Sequence, residues 1–474
     1  MESARHEHAK KHFQSYLVLV ILFMGIASIT YGYASAIIGT TLGQPSFNDY
    51  MRLETRTNAT TLTGAIVAMW YAGSVFGCFA QGWISNRYGR KAAIISGCII
   101  VVISGALLTG SVSPGMFIAF RFINGWGANQ LNYAVPLWIS EITPPHYRAT
   151  LTVIHTLGIN LGNNIAGFVG IGFYYTSGKQ QWRGPMAIQI FPALVVLSGI
   201  FWLPESPRYL LTKNKKDEAW AIVRRLHSDP GNEGDAFAKR EFFQMSTQIE
   251  LDMTAKNTYW EIFKRPSYRK RAFMIMFFTF SLMSCGALVI NNFGTTLYRS
   301  LGFVLCCLIT EATIQEKFLG TDHKSGLSAG VAILFLYNFF YGIFLESAPF
   351  FFIGEIWPTH LRGQGYSLGI GMLDVTIIIW TQPASTAFAK IGWKFYMVFM
   401  VFAAIAYVVS ELWFPNTLGI PLEEIAALFG DTGDVVVYER DLTNEVVLES
   451  SEKGHSVLQQ ENVGSEPHNT KTVS

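Results

Sequence analysis

The segment Gly82-Trp83-Ile84-Ser85-Asn86-Arg87-Tyr88-Gly89-Arg90-Lys91 joins two strongly apolar stretches of the chain. Glycine permits a tight turn here, and the cations suit a membrane surface, where they can hydrogen-bond the ends of neighbouring helices. Each flanking stretch is about 20 residues long, enough for a helix to cross a ~30 Å hydrocarbon layer. Taken alone, the segment also fits an ordinary basic loop, so its interpretation depends on the rest of the sequence.

The composition extends this pattern to the whole chain. Of the 474 residues, 50% are hydrophobic and 14% are charged, whereas about a quarter are charged in soluble proteins. About ten apolar segments are long enough to span a membrane. They are Tyr16 to Ile38, Thr63 to Ile84, Ala92 to Val112, Gly115 to Trp138, Val153 to Tyr175, Met186 to Leu203, Ala272 to Leu297, Leu327 to Gly354, Tyr366 to Phe388 and Phe395 to Phe414. We therefore predict an all-α polytopic membrane protein.

These segments divide the chain into five regions. We predict an amino terminus (1–15), a six-helix bundle (16–203), a charged loop with short amphipathic helices such as Lys216 to His227 (204–271), a second bundle (272–414) and a largely disordered tail (415–474). Lys and Arg cluster on the side of the charged loop, which places that loop and both termini in the cytoplasm. The sequon at Asn58 then falls in an external loop, where glycosylation is possible. The first segment is longer than a signal-peptide core, and no cleavage is expected.

Charge and cysteine usage argue against several other functions. The formal net charge of +2 provides no basic face for nucleic acid. The five cysteines lack the spacing of a zinc site or a disulfide framework. No nucleophile, metal or phosphate-loop motif is evident, so we expect neither enzymatic activity nor a cofactor or bound metal.

Four further motifs show that the Gly82 to Lys91 segment is part of a family pattern and not an ordinary basic loop. They are Arg121-Phe122-Ile123-Asn124-Gly125-Trp126-Gly127, Pro136-Leu137-Trp138-Ile139-Ser140-Glu141 with Arg148, Pro204-Glu205-Ser206-Pro207-Arg208, and Gly354-Glu355-Ile356-Trp357-Pro358 with Arg362-Gly363. In this order, the motifs resemble the sugar porter family of the major facilitator superfamily, and in particular its fungal-type hexose and lactose-permease-like members. The resemblance implies two helical bundles that transport a sugar by alternating access, with possible proton coupling. The Phe-rich composition and the single sequon favour a plasma-membrane address, and we expect a monomer surrounded by lipid.

The resemblance also implies a cytoplasmic gate. In sugar porters, charges at equivalent helix ends form a network that locks the cytoplasmic side when the carrier faces outward. The matching residues in this chain are Arg87, Arg90, Glu141, Arg148, Glu205, Arg208, Glu355 and Arg362. Ordinary anchoring at the membrane interface is the alternative interpretation.

The chain departs from the family pattern at the expected sugar site. The first segment carries Gly32-Tyr33-Ala34 where many members have an acid after Gly-Tyr, so the acid used for proton coupling is absent. Thr156 stands where the family has a sugar-contacting Gln, and Phe350 replaces a Trp. Leu282 and Met283 align near the paired Gln of the seventh helix. Much of the usual binding set is therefore replaced.

Other polar residues at membrane depth are candidates to bind a hydroxylated substrate. Thr156, Asn160, Asn163 and Asn164 recur at helical spacing in the fifth segment, and Asn291 and Asn292 lie in the seventh. Asn124 and Asn132, in the fourth segment, are further polar residues at membrane depth. For any single Asn, an interhelical hydrogen bond worth about 1 kcal/mol is an equally good interpretation.

Two carboxylates, Glu346 and Asp374, lie near mid-membrane in the second half, each roughly 13 Å from a helix end. An intramembrane acid is a functional candidate because burying its charge is costly. We predict that one of them replaces the missing acid in proton coupling, or that they bind substrate hydroxyls; a structural role is the alternative.

The second half is shorter than the family pattern. Between Phe303 and Leu327 the chain has room only for the stub Val304 to Ile314, which would extend about 16 Å as a helix and cannot span unaided. We predict that helix eight and most of helix nine are missing. An inactive or sensor-like paralogue therefore stays open as an alternative function, and quinate or a polyol stays open as an alternative cargo.

Overall fold

The computed structural model describes residues 15–53, 59–144, 147–227, 236–253, 259–284, 348–358, 360–391, 394–413 and 425–429. Among these residues the regular structure is helical, and no strand occurs in the described ranges. The predicted gap and the stub Val304 to Ile314 lie outside them.

The amino-terminal half contains eight described α-helices, followed by a short 3-10 helix at Ile200–Trp202. They are α1 (Ser15–Leu42), α2 (Pro45–Met51), α3 (Ala59–Tyr88), α4 (Arg90–Thr109), α5 (Pro114–Ile142), α6 (Arg148–Tyr174), α7 (Gln180–Ile188) and α8 (Ile190–Gly199). The helices α1, α3, α4, α5 and α6 each coincide with one predicted membrane segment, and α7 and α8 share the sixth. The sequence pattern therefore located the helices of this half.

The charged loop and the second half supply the remaining helices. They are α9 (Pro207–Thr212), α10 (Lys216–His227), α11 (Ala236–Met253), α12 (Tyr259–Lys264), α13 (Pro266–Ser284), α14 (Ala348–Glu355), α15 (Arg362–Ile391) and α16 (Lys394–Trp413). The predicted amphipathic helix from Lys216 to His227 is confirmed with the same bounds. Its apolar side packs with α9 and α11 around Leu211, Val223 and Met245.

Four stretches of the described chain are long and apolar enough to cross a membrane: Tyr16–Leu42, Leu62–Tyr88, Arg90–Thr109 and Gln180–Trp202. Helix α5 is as long as these but more polar. Every residue from Gly127 to Ile142 is buried inside the protein. A helix covered by protein on all sides can carry polar side chains because few of them meet lipid.

Glycines let the central helices approach closely. A Cβ atom at Gly125 of α5 would overlap the main-chain oxygen of Trp70 in α3, and a Cβ at Gly73 of α3 would overlap that of Phe122 in α5. Small residues at such crossings allow two backbones to come into direct contact. The α3–α5 pair is thus held at a spacing that only glycine permits.

The two halves meet where α15 packs along α3 and α5. The Tyr133 hydroxyl of α5 donates to the carbonyl oxygen of Gly363 at 2.7 Å. The Ser367 hydroxyl of α15 donates to the carbonyl oxygen of Cys78 in α3 at 2.9 Å. We call this contact between α15 and the pair α3 and α5 the half boundary.

Candidate functional site

A buried chain of hydrogen bonds crosses the half boundary. Ser28 Oγ of α1 lies 2.7 Å from Nδ1 of His155, and His155 Nε2 lies 3.3 Å from Oδ1 of Asn132. Asn132 Nδ2 donates to Oδ1 of Asn129 at 3.1 Å, and Asn129 Nδ2 donates to Oδ2 of Asp374 at 2.8 Å. Because Asn132 presents its oxygen to the ring, the neutral tautomer that fits carries its proton on Nε2 and accepts from Ser28 at Nδ1. We call these five residues the polar chain.

The acid at the end of the polar chain has spare hydrogen-bonding capacity. Asp374 is fully buried, and its Oδ1 has no hydrogen-bond partner within the described part of the protein. Its other oxygen accepts from Asn129, whose Nδ2 also lies 2.8 Å from Sγ of Cys78. Buried polar atoms in folded proteins are almost always paired, so an open carboxylate oxygen at the boundary is suited to bind a proton or a ligand group.

Two predicted residues flank the polar chain. Thr156, adjacent to His155 in α6, is buried, and its hydroxyl has no partner among the described residues. Phe350 of α14 places its ring 4.9 Å from the His155 ring, nearly perpendicular at 82°. Asp374 and Phe350 therefore contact the same chain of side chains although they lie far from it in sequence, and Thr156 follows His155 in α6.

The asparagines of the fifth predicted segment are less uniform than their spacing suggested. Asn160 and Asn164 donate to main-chain oxygens one turn back in their own helix, at 3.2 and 2.8 Å. Asn163 accepts from the Ser35 hydroxyl of α1 at 3.2 Å. Asn164 is exposed, whereas Asn160 and Asn163 are half-buried. Part of the amide capacity of this row is thus used within the helix bundle.

Asn124 has a structural role. It accepts from Trp70 Nε1 at 3.1 Å and donates to Ser104 and Gln189 at 3.1 and 3.2 Å, so it joins α3 and α4 to the sixth segment. These contacts match the interhelical hydrogen bonding that was the alternative to substrate binding for each Asn. Asn291, Asn292, Glu346, the sequon residue Asn58 and the side chain of Glu355 lie outside the described residues.

An ion pair lies at the end of the bundle nearest the charged loop. Arg90 Nη2 contacts Glu141 Oε1 at 2.7 Å, and both side chains are buried, with exposures of 7% and 0%. Glu205 accepts from the backbone amides of Arg90 and Lys91 at 3.1 and 3.2 Å, which satisfies two free N–H groups at the start of α4. Burial raises the pKa of the Glu205 carboxyl, although the amide of Ser206 and the charge of Arg90 act in the opposite direction.

Other predicted gate residues gather at this end. Arg362 of α15 donates to the carbonyl oxygen of Trp357 at 3.3 Å, and its charge acts on Glu141 across the half boundary. Arg148 is buried and donates to the carbonyl oxygen of Ser140 at 3.0 Å. Arg208 is buried at the start of α9, and Arg87 lies over the rings of Trp83 and Tyr88. We call the group around Arg90, Glu141, Glu205 and Arg362 the charged end.

Sequence reasoning missed three residues of this region as candidates. His155 is the single histidine within a predicted membrane segment, a signal that marks an ionisable group where burial is costly. Asn129 precedes Asn132 by one helical turn and therefore shares its face. Arg121 was recognised only as part of a family motif, yet its side chain is 1% exposed inside the bundle.

Comparisons with known proteins agree with this architecture. The family model described as "Sugar (and other) transporter" matches residues 20–314 and 302–429. An MFS-type transporter, criB, from Aspergillus cristatus is 29% identical over 86% of this chain and 92% of its own length. A high-affinity glucose transporter of Kluyveromyces lactis is 23% identical over 89% and 87% of the two chains, and a quinate permease of Neurospora terricola is 25% identical over 85% and 87%.

The fold has a solved counterpart. The proton:xylose symporter XylE, bound to 6-bromo-6-deoxy-D-glucose, superimposes with a TM-score of 0.72 at 18% identity, covering 88% of this chain and 100% of that one. The two-bundle helical architecture is therefore the major facilitator fold. Since the family model covers most of the chain, this integral membrane protein belongs to the sugar transporter family of the major facilitator superfamily.

Proposed function

We propose that this protein carries a sugar, a hexose or a small oligosaccharide, across the membrane by alternating access. The observation that carries the proposal is the polar chain from Ser28 to Asp374, which lies buried in a membrane fold and crosses the boundary between the two halves. Polar side chains are costly in a membrane unless they face a partner or a wet cavity. Hydroxyl groups of a sugar are suitable partners for amides, an imidazole and a carboxylate.

The rocking motion would use the contacts at the half boundary. The hydrogen bonds of Tyr133 and Ser367 close this boundary, and Arg362 brings a charge of the second half to the ion pair of Arg90 and Glu141. Hydrogen bonds between membrane helices contribute on average about 0.6 kcal/mol each, so a small number can break and re-form within a transport cycle. In this proposal the charged end is the cytoplasmic gate.

Asp374 is our candidate for proton coupling. Its Oδ1, which has no hydrogen-bond partner among the described residues, is positioned to take up a proton, and its Oδ2 connects it to the amino-terminal half through Asn129. Protonation would remove the charge that the Asn129 amide stabilises and so weaken a contact between the halves. Glu346 is the second candidate for the same role.

We further propose that the protein acts as a monomer in the plasma membrane.

A second cargo class is supported by a specific observation. The relatives include a quinate permease, and the family model covers substrates other than sugars. Quinate and polyols present several hydroxyl groups on a small carbon frame, as sugars do, so the same polar chain would suit them.

Uptake by the purified protein in liposomes tests the proposal. Liposomes preloaded with unlabelled glucose, xylose, lactose or quinate are diluted into the same labelled compound, and counterflow is measured against empty liposomes. Accumulation of at least one compound is expected. If none of them exchanges, although the protein is inserted and monodisperse, the inactive or sensor-like alternative replaces transport.

A further inference from the structure

Asn129 of α5 holds its side-chain amide between groups of three helices. Its Nδ2 lies 2.9 Å from the main-chain oxygen of Ser74 and 2.8 Å from Sγ of Cys78, both in α3. The same nitrogen donates to Oδ2 of Asp374 in α15 at 2.8 Å. Its Oδ1 accepts from Asn132 at 3.1 Å. Asn129, Ser74 and Asp374 are fully buried, so this amide joins α3, α5 and α15 away from solvent.

The orientation of this amide is fixed by its neighbours. An asparagine side chain can turn over and exchange the positions of its oxygen and its NH2 group, because it carries both donors and an acceptor. A main-chain carbonyl oxygen can only accept, so the Ser74 oxygen requires the NH2 group of Asn129 on its side. The turned-over amide would place oxygen against oxygen and would take the donor away from the Asp374 carboxylate. Asn129 can therefore only donate to Asp374.

The other ionisable groups around Asp374 are weaker or more distant partners. On α3, Cys78 Sγ lies 4.0 Å from Oδ2, and Tyr71 is near enough to interact with the charge of the acid. On α5, Arg121 and Tyr133 are about 12 and 6 Å of helix from the amide. The charged residues of α12, α13, α14 and α16, which also contact α15, stand within six residues of a helix end, whereas Asp374 lies in the middle third of its helix. The amide is thus a closer donor to the acid than the thiol.

We propose that Asn129 is the positioning residue of the proton-coupling site and sets the proton affinity of Asp374, because it holds a donor of fixed orientation against the carboxylate. The inference rests on the proposed function, in which Asp374 is the coupling acid. A hydrogen bond to a carboxylate favours its charged form. Since Asn129 belongs to the amino-terminal half and Asp374 to the carboxyl-terminal half, separating the halves removes this bond and strengthens proton binding. By reciprocity, proton binding favours separation of the halves.

An infrared titration of the purified protein tests this role without depending on transport. The band of the protonated Asp374 carboxyl is identified as the one that Asp374→Asn removes. Asn129→Leu keeps a similar volume and lacks the donor, so we expect the midpoint of this band to move upward by about 1–2 pH units, as for the loss of one hydrogen bond to a charged group. The control is Asn132→Leu, which removes an amide that donates to Asn129 one helical turn away. Its midpoint should move less than half as far.

A smaller substitution keeps the test decisive if the leucine variant does not fold. Asn129→Ala also lacks the donor and introduces no new bulk, so its midpoint should move in the same direction, and it then decides alone. Equal midpoints in the parent protein and in the Asn129 variants that fold overturn the inference. An equal shift in Asn132→Leu also overturns it, because the effect would then belong to the polar chain as a whole. So does an Asp374 band that fails to titrate while the protein stays folded.

The outcomes separate this inference from the proposed function. Counterflow in the liposome assay together with equal infrared midpoints would leave transport intact and remove the role of Asn129. A shift confined to the Asn129 variants, together with no exchange of any compound, would support the control of Asp374 by Asn129 and remove transport itself.

Discussion

The two halves of this carrier differ in how they hold their charged groups. In the amino-terminal half, the membrane helices contain one acid, Glu141, and it is locked in a buried pair with Arg90. In the carboxyl-terminal half, the described acid of α15, Asp374, points to the other half and keeps one oxygen free of described partners. The first half thus behaves as a fixed scaffold, and the second supplies a group that responds to its surroundings. A transporter needs both properties, because a cycle requires a rigid reference and a movable contact.

The largest effect is expected when the buried Arg90–Glu141 ion pair of the amino-terminal half is disrupted, because the comparison treats that half as a fixed scaffold. Removing one partner of a buried ion pair typically costs about 3–5 kcal/mol, because the other charge is left buried and alone. We expect Glu141→Gln to lower the melting temperature of the purified protein markedly and to increase the fraction that aggregates.

An exposed ion pair provides the control. Lys215 and Glu218 are 2.9 Å apart but more than half exposed, and such pairs contribute about 0–1 kcal/mol. Lys215→Ala should therefore leave the melting temperature nearly unchanged. A similar loss in both variants would show that the Arg90–Glu141 pair has no special role in the scaffold.

The next largest effect is expected at the glycine crossing of α3 and α5. Gly125→Ala places a methyl group against the main-chain oxygen of Trp70 and should cost about 1–3 kcal/mol through forced separation of the helices. Gly115, in the first turn of the same helix, has open space at the corresponding position. Gly115→Ala should be neutral or stabilising. Thermal unfolding compares the two variants. Equal melting temperatures would contradict a close contact between the backbones of α3 and α5 at Gly125.

The comparison is sharpened by neutralising the acid of the second half. We expect Asp374→Asn to reduce uptake driven by a proton gradient at least tenfold, while exchange without a gradient continues, because proton release is needed only for net transport. Glu346→Gln is the matched variant, since it removes the other candidate acid. If uptake by both variants keeps its full pH dependence, neither acid couples protons to transport.

Much of the fold was predictable from local sequence, for reasons that differ along the chain. Membrane helices are specified by length and apolarity, which act within about 20 residues, and each of the six predicted segments of the first half lies on observed helices. Helix α10 was predictable because charged and apolar residues alternate with helical periodicity over Lys216 to His227. These signals need no knowledge of distant contacts.

The site was predictable only in part, because its contacts connect residues far apart in sequence. Asp374 stood out as an acid at membrane depth, but its partner Asn129 is 245 positions away. The row of asparagines in α6 has the expected spacing, yet spacing does not reveal that Asn160 and Asn164 bond to their own helix. Arg121 illustrates the same limit, because only the fold brings its guanidinium to the carbonyl oxygen of Ala34, 87 positions away.

The smallest expected effect concerns a single hydroxyl at the half boundary. Ser367 has one proton to donate and lies 2.9 Å both from the Cys78 carbonyl of the first half and from the Gly363 carbonyl of its own helix. Ser367→Ala removes a bond worth about 0.6 kcal/mol between membrane helices. The boundary should then open up to about threefold more often, which thiol labelling of the buried Cys78 can follow by mass spectrometry of its peptide. Ser198→Ala is the control, since that exposed hydroxyl donates only to Val195 in its own helix. Equal labelling rates in the two variants would show that the hydrogen bond from Ser367 to Cys78 does not help to hold the two halves together.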